Sequence, residues 1–262
     1  MPTGGGKSIC YQIPALMSDG IAIVISPLIS LMKDQVTSLN QNGIRAAYIN
    51  STLTPAQQSR AIYNAMRGEY KLIYVAPERL EAPAFLNLCN SIKISLIAVD
   101  EAHCVSQWGH DFRTSYLKIS DFISKLDDRP VVSAFTGTAT DAVKKDILNL
   151  LGLKNPFEIT TGFDRKNLFF AVKRPQNKQK ELLAIVSEHK NQSGIIYCAT
   201  RKNVEKVSDF LNENGYDSLI YHAGLSNEIR SKNQDDFIND RYNLIVATNA
   251  FGMGIDKPDV RF

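Results

Sequence analysis

LIAVDEAHCVSQWGHDFR, residues 96–113, is the stretch on which the reading of this chain turns. Residues 96–99 form an apolar run of strand length, the pattern of a strand buried on both faces. Two carboxylates, Asp100 and Glu101, stand at its end, followed by His103, Gln107, Trp108, His110, Phe112 and Arg113. Acid, imidazole, amide, aromatic and guanidinium groups are gathered into one short segment. A core strand requires none of them, so the segment reads as a site.

Its use depends on a second stretch, MPTGGGKS at residues 1–8. Gly4, Gly5 and Gly6 let backbone N–H groups approach phosphate oxygens, with a helix N-terminus behind them. In such a loop, which opens with Thr3, Lys7 reaches the β- and γ-phosphates of a nucleotide and the Ser8 hydroxyl binds Mg²⁺. Asp100, at the end of a buried strand, is placed to hold that Mg²⁺, and Glu101 to orient and deprotonate an attacking water. A flexible glycine turn and an acidic helix start are the plainer readings of the two stretches taken singly. One departure is visible: the general phosphate-loop pattern has glycine five residues before Gly6, where Met1 stands.

Composition sets bounds. With 44% hydrophobic and 22% charged residues, the 262-residue chain reads as globular and long enough for two domains. A net charge of +3 is too mild to imply nucleic acid by itself, so any such contact requires a local patch. The cysteines Cys10, Cys89, Cys104 and Cys198 form no C-x-x-C pair, which speaks against a zinc site or disulfide framework and suits a reducing compartment. No apolar run reaches membrane-spanning length, and residues 1–8 lack a signal peptide's apolar stretch. The expectation is an intracellular protein without membrane contact.

In order, short apolar runs alternate with helical patterns. Strands are predicted at 21–26, 46–50, 72–76, 96–99 and 131–135, with helices from the loop at 1–8 to about 17, over 29–42, from 55 onward and over 141–151. Thr54, Pro55 and Gln57 form a capping-box pattern. The polar, irregular segment 155–167 is the expected boundary, giving domains 1–160 and 161–262. Beyond it the pattern restarts, with strands at 168–172, 194–198, 219–221 and 244–247 and helices at 179–189, 202–214 and 227–239. Shifting the chain by 172 positions lays LNQNG (39–43) on LNENG (211–215), LT (53–54) on LS (225–226) and YKLI (70–73) on YNLI (242–245). Three agreements in one register predict two units of similar α/β fold, each a mostly parallel sheet with helices on both faces.

The motifs MPTGGGKS, SPLISLMKDQV (26–36), YVAPERL (74–80), DEAHCVSQWGHDFR, AFTGTAT (134–140), IIYCATRKNVE (195–205) and IVATNAFGMGIDKPDVRF (245–262) occur in helicase order. Together they resemble the RecQ family of superfamily-two DNA helicases over essentially the whole chain, with SQWGHDFR and FGMGIDKPDVRF the more specific parts. The resemblance implies two RecA-like lobes of phosphate-loop type, the second incomplete, that use ATP and Mg²⁺ to move 3′ to 5′ on single-stranded DNA and open duplex in recombination and repair. It implies nucleotide contacts from Thr3 to Ser8 and from Gly254 and Asp256, with Ser8 and Asp100 on the metal and Glu101 as base. His103 and Gln107 are implied to link the nucleotide and DNA sites. Trp108, His110, Phe112, Arg113, Ser26, Pro27, Arg79, Thr200 and Thr248 are implied to face DNA. A stacking face for each base suits a sequence-tolerant translocase. The compartment implied is the bacterial cytoplasm, on the nucleoid, or a eukaryotic nucleus.

Gly137 stands in AFTGTAT where the family pattern has alanine. The family's adenine-recognising segment before the phosphate loop and its arginine-finger run after residue 262 do not occur in these residues. Arginine fingers supply about 10³–10⁵ in rate in phosphate-loop enzymes, so the isolated chain is expected to be a weak or inactive piece of such a motor, less stable for lacking the strand beneath its loop. Two other readings stay open: a non-catalytic module binding nucleotide or DNA, and an RNA helicase of the same superfamily.

Overall fold

The computed structural model describes residues 1–2, 4–109, 111–162, 167–249, 251 and 257–262. Thr3, His110, Gly254 and Asp256, all singled out above, lie outside the described residues. The chain divides into two compact units, Met1–Lys166 and Asn167–Phe262.

The first unit runs α1 (Lys7–Met17), β1 (Ile21–Ile25), α2 (Ile29–Gln41), β2 (Ala46–Ile49), α3 (Pro55–Met66), β3 (Leu72–Val75), α4 (Pro83–Ser91), β4 (Ile94–Val99), α5 (Lys118–Ser124), β5 (Val131–Ala134) and α6 (Asp141–Leu150). Its five strands are all parallel, in the order β2-β3-β1-β4-β5. Alternate residues face opposite sides, so each central strand needs apolar groups at every position. Ile23, Ile25, Ile97 and Val99 pack with Phe85 of α4, Phe122 of α5 and Ile147 of α6. Ala22, Val24, Leu96 and Ala98 pack against Tyr11 of α1 and Met32 and Val36 of α2. Each large side chain buried this way contributes about 1.5–3 kcal/mol, which fixes the strand ends that carry the polar groups.

The second unit contains α7 (Lys178–Glu188), β6 (Gly194–Tyr197), α8 (Arg201–Glu213), β7 (Ser218–Tyr221), α9 (Asn227–Ile238) and β8 (Leu244–Ala247). The described strands form a parallel sheet, β6-β8-β7. Val186, Val204, Leu211 and Val246 line one face, and Phe237, Ile245 and Phe251 the other.

The internal repeat is realised residue for residue. Both bounds of α8, β7, α9 and β8 lie 172 positions after those of α2, β2, α3 and β3 (201 − 29 for the first pair). Strand order repeats as well, β2-β3-β1 answering β7-β8-β6. So do the local devices. Gly43 and Gly215 both take left-handed φ, 77° and 81°, after their helices. Asn40 Oδ1 accepts the Ala46 N–H at 3.1 Å, and Asn212 Oδ1 accepts that of Ser218 at 2.9 Å. Thr54 and Ser226 cap the paired helices.

Two expectations need correction. Residues 168–172 form no strand, and Phe169, Phe170 and Val172 are exposed. Aromatic and β-branched residues favour a strand only where a neighbour supplies the ladder, and the described residues pair none with this segment. Helices α4 and α5 were not anticipated. Both are short, and α4 is set by Pro83 in its first turn and by burial of Phe85 and Leu88.

Candidate functional site

The candidate residues of the first unit come from the carboxyl ends of its parallel strands, where open α/β sheets place ligands. Ser26 and Pro27 follow β1, Arg79 follows β3, Asp100 follows β4 and Thr136 follows β5.

The glycine loop meets the amino end of α1. Gly4 and Gly6 have φ of 76° and 79°, a region costly for other residues. Gly5 donates its N–H to the Pro2 carbonyl at 3.0 Å, and a Cβ there would lie 2.9 Å from that oxygen. Helix α1 has no side-chain cap and no acid in its first turn. Its positive end is therefore left to an anion, with Lys7 beside it. A cavity of about 580 Å³ bordered by Val132, Ala134, Leu148 and Phe157 also touches Lys7, but its wall is mainly apolar and unsuited to phosphate.

Asp100 is 5% exposed. Burial, and then the charge of Glu101, push its carboxyl up to about 6, against the opposing pull of Lys7. Its Oδ1 accepts the Glu101 N–H at 3.0 Å, and its carbonyl accepts the Tyr116 hydroxyl at 2.8 Å. Glu101 adopts φ 45°, ψ 46°, a left-handed conformation costing a non-glycine residue about 1–2 kcal/mol. A left-handed residue carrying one carboxylate beside a buried second carboxylate is more than a simple helix start needs. Among the described residues no group of three or more acid, histidine or cysteine side chains could cage a metal by itself. One buried carboxylate fits Mg²⁺, which keeps waters and completes its shell from substrate phosphates.

After Glu101 a tight turn, Ala102–Val105, buries His103. Its Nδ1 lies 2.9 Å from the Thr136 hydroxyl and 3.2 Å from Glu101 Oε2. Beyond the turn Gln107 is exposed, and Trp108 is 80% exposed. Phe112 is half-buried. Gly109 packs so closely on the His103 carbonyl that a Cβ would lie 2.4 Å from the oxygen. Arg113 turns inward: Nε and Nη2 donate to Asp111 at 3.0 and 2.8 Å, and Nη1 to the Pro27 carbonyl at 3.0 Å. It braces one implied DNA-facing loop against another. Ser26 Oγ and Arg79 Nε are buried polar atoms with no partner in the structure, the kind of orphan that a ligand or water satisfies.

In the second unit Thr200 caps α8, its hydroxyl accepting the Asn203 N–H at 3.2 Å, a structural task that sequence reading had not assigned. Thr248 follows β8 and donates its N–H to the Tyr221 carbonyl at 3.1 Å. Sequence reasoning missed Thr136, Asp111 and Tyr116 as partners of the site. Thr136 and Asp111 carried a signal, through their places in AFTGTAT and SQWGHDFR; Tyr116 carried none.

Comparison with known proteins agrees with this layout. Residues 1–146 match the DEAD/DEAH box helicase family, and residues 177–262 the helicase conserved C-terminal domain. The ATP-dependent DNA helicase RecQ of Bacillus subtilis is 48% identical over 262 residues, which are 100% of this chain and 44% of that protein. The chain thus spans less than half of that relative. Among solved structures, the DUF1998 helicase MrfA bound to DNA superposes with a TM-score of 0.74 at 19% identity, covering 99% of this chain and 41% of that one. Saccharomyces cerevisiae Dbp5 L327V bound to RNA and ADP BeF3 gives 0.71 at 20% identity, covering 99% and 67%. These two likenesses establish the fold, two RecA-like units, and the residue identities narrow it. The chain belongs to the DEAD/DEAH box helicases, and over its whole length it is similar to the helicase segment of proteins named RecQ.

Proposed function

We propose that this chain is the motor segment of an ATP-dependent DNA helicase of RecQ type, which moves 3′ to 5′ along single-stranded DNA and opens duplex in recombination and repair. The observation that carries the reading is the continuity of the segment after β4. Within a few residues it passes from the buried Asp100, through a His103 held by Thr136, to a Trp108 standing 80% exposed. The relative at 48% identity bears the name of such a helicase. The proposed setting is the chromosome, on a bacterial nucleoid or in a nucleus. No helix among the described residues is long and apolar enough to cross a membrane.

In this reading Gly4–Gly6 and the amino end of α1 hold the phosphates of ATP, with Lys7 on the β- and γ-phosphates. Ser8 and Asp100 would hold Mg²⁺, which when bound neutralises charge developing on the transferred phosphoryl group. Glu101 takes the proton of the attacking water, as a carboxylate already turned away from the strand by its left-handed backbone. His103 holds both Glu101 and Thr136 through its Nδ1. Trp108 and Phe112 offer faces to successive bases, each worth about 1–3 kcal/mol without regard to sequence. Domains divided near residue 160, with Thr200 and Thr248 toward DNA, complete the proposal.

The fold alone serves both nucleic acids, since MrfA was solved with DNA and Dbp5 with RNA. The test is Mg²⁺-dependent ATP hydrolysis by the chain alone, with single-stranded DNA and, separately, RNA, beside Glu101→Gln. Stimulation by DNA over RNA that disappears in Glu101→Gln is the expected result. Preference for RNA overturns the substrate. Nucleotide binding that depends on Lys7 but never leads to turnover supports a binding module instead.

A further inference from the structure

Ser106, the residue before Gln107 and Trp108, is fully buried, and its hydroxyl makes two hydrogen bonds. Oγ donates to Asp146 Oδ2 on α6 at 2.6 Å, and the same oxygen accepts the Trp108 backbone N–H at 3.1 Å. These roles are linked. A hydroxyl has one proton and two lone pairs, and a rotor free to turn. A carboxylate at 2.6 Å claims the proton in a short, charge-assisted bond. The rotor is then fixed, and a lone pair stays aimed at the Trp108 N–H. Take the acceptor oxygen away and the hydroxyl becomes free to seek another.

The surroundings make this the open end of an otherwise braced loop. Gly109 is pressed onto the His103 carbonyl, and Arg113 is tied to Asp111 and to Pro27. Just before these anchors Trp108 projects, 80% exposed, and its backbone N–H is held by Ser106. Helix α6 is also the helix reached from Thr136, which already meets His103. Ser106–Asp146 is thus a second tie between the same two segments, further along both.

We propose that Asp146 is a positioning residue for the Trp108 loop: acting through Ser106, it holds the loop in its base-receiving form before any nucleic acid arrives. It touches neither nucleotide nor base. A loop ordered beforehand does not lose its freedom on binding, so affinity is gained by preorganisation rather than by contact. The inference rests on the reading that Trp108 stacks on single-stranded nucleic acid.

The chain supplies its own probe, because Trp108 is the only tryptophan in 262 residues. Time-resolved anisotropy and acrylamide quenching of its emission are measured on the 262-residue chain without DNA, for wild type, Asp146→Ala, Asp146→Asn and Ser106→Ala. An oligothymidylate titration and the affinity for a fluorescent ATP analogue follow. Asp146→Ala and Ser106→Ala are expected to release the indole, with a larger fast component of anisotropy decay, and to weaken oligonucleotide binding about fivefold, the worth of one ordered side chain. ATP-analogue affinity stays at the wild-type value. Asp146→Asn, whose amide oxygen still accepts from Ser106, restores most of the rigidity, while Ser106→Ala keeps the whole of Asp146 and loses it, which separates the hydrogen bond from mere bulk. The proposal is overturned if the indole is as rigid in Asp146→Ala as in wild type, or as loose in Asp146→Asn as in Asp146→Ala. If Asp146→Ala does not fold, Ser106→Ala decides alone. Wild-type emission that ignores the oligonucleotide overturns the stacking reading instead, while the DNA-free anisotropy still decides the role of Asp146.

Discussion

His103 Nδ1 stands 2.9 Å from the Thr136 hydroxyl and 3.2 Å from the Glu101 carboxylate, so a single ring nitrogen joins the DEAH turn to the segment after β5. Thr136 Oγ1 has an acceptor of its own in the Thr138 carbonyl at 3.0 Å. Its proton is spent there, and the carboxylate has none to give. Nδ1 therefore carries the hydrogen and is shared between two acceptors. One nitrogen thus holds the Glu101 carboxylate and the segment after β5 together.

Breaking either side of this bridge is expected to separate nucleotide binding from turnover. Thr136→Ala should lower DNA-stimulated hydrolysis about tenfold, the worth of one buried hydrogen bond, while Thr136→Ser keeps it. Combined with His103→Ala the loss should not add, because both changes remove the same link. Steady-state hydrolysis beside equilibrium nucleotide binding checks this, and additive losses would refute the bridge.

Asp100 is a site for which stability is given up. The folded chain raises its carboxyl from 3.8 to about 6 and so holds the proton more tightly than the unfolded chain does. The penalty is absent below pH 3.8, grows as pH rises, and is complete above about 6, where it is about 3 kcal/mol. Asp100→Asn should therefore raise Tm by about 6–10 °C at pH 7.5 without Mg²⁺, and the gain should vanish near pH 4. Thermal melts across that range decide it; a gain that grows on acidification contradicts the assignment.

Gly109→Ala forces a methyl group to 2.4 Å from the His103 carbonyl oxygen and 3.1 Å from that of Ser106. Neither backbone atom can swing aside as a side chain would. The expected cost is about 1–3 kcal/mol, read as a lower urea midpoint with unchanged slope. An unaltered midpoint would mean that the loop is looser than its packing implies.

Trp108→Ala should weaken single-stranded DNA binding by about 1–3 kcal/mol, and Trp108→Phe by much less, since a flat ring rather than the indole N–H receives the base. Because the residue is 80% exposed, neither change should lower Tm. Fluorescence polarisation of a labelled oligonucleotide measures the first statement and a thermal melt the second. Equal losses for alanine and phenylalanine would argue for a specific polar contact.

Much of the architecture could be read directly from residue order. Runs such as IAIVI and LIAV announce themselves because a strand covered on both faces leaves no position for a polar residue. The repeat was legible for a similar reason, since glycine caps and capping threonines serve backbone needs that few other residues meet. Residues 168–172 misled because their strand propensity is real, while a partner is a matter of the surrounding fold. The ties of the site were hidden by distance. His103 and Thr136 are 33 positions apart, Ser106 and Asp146 40, and Arg113 and Pro27 86. No periodicity reaches that far, so the residues were nameable and their bonds were not.

The repeat itself carries a further consequence. From the start of α2 to the end of β3, and again from α8 to β8, each connection has kept its length to the residue, although most side chains along it differ. Asn50 and His222, 172 positions apart, each accept the N–H two residues on, at 2.9 and 3.2 Å, with different chemistry making the same bend. Two halves related in this way imply a common ancestor that was duplicated and fused. One half carries the GGGKS loop and QNKQK stands in its place in the other, while the spacing of the frame is the same in both.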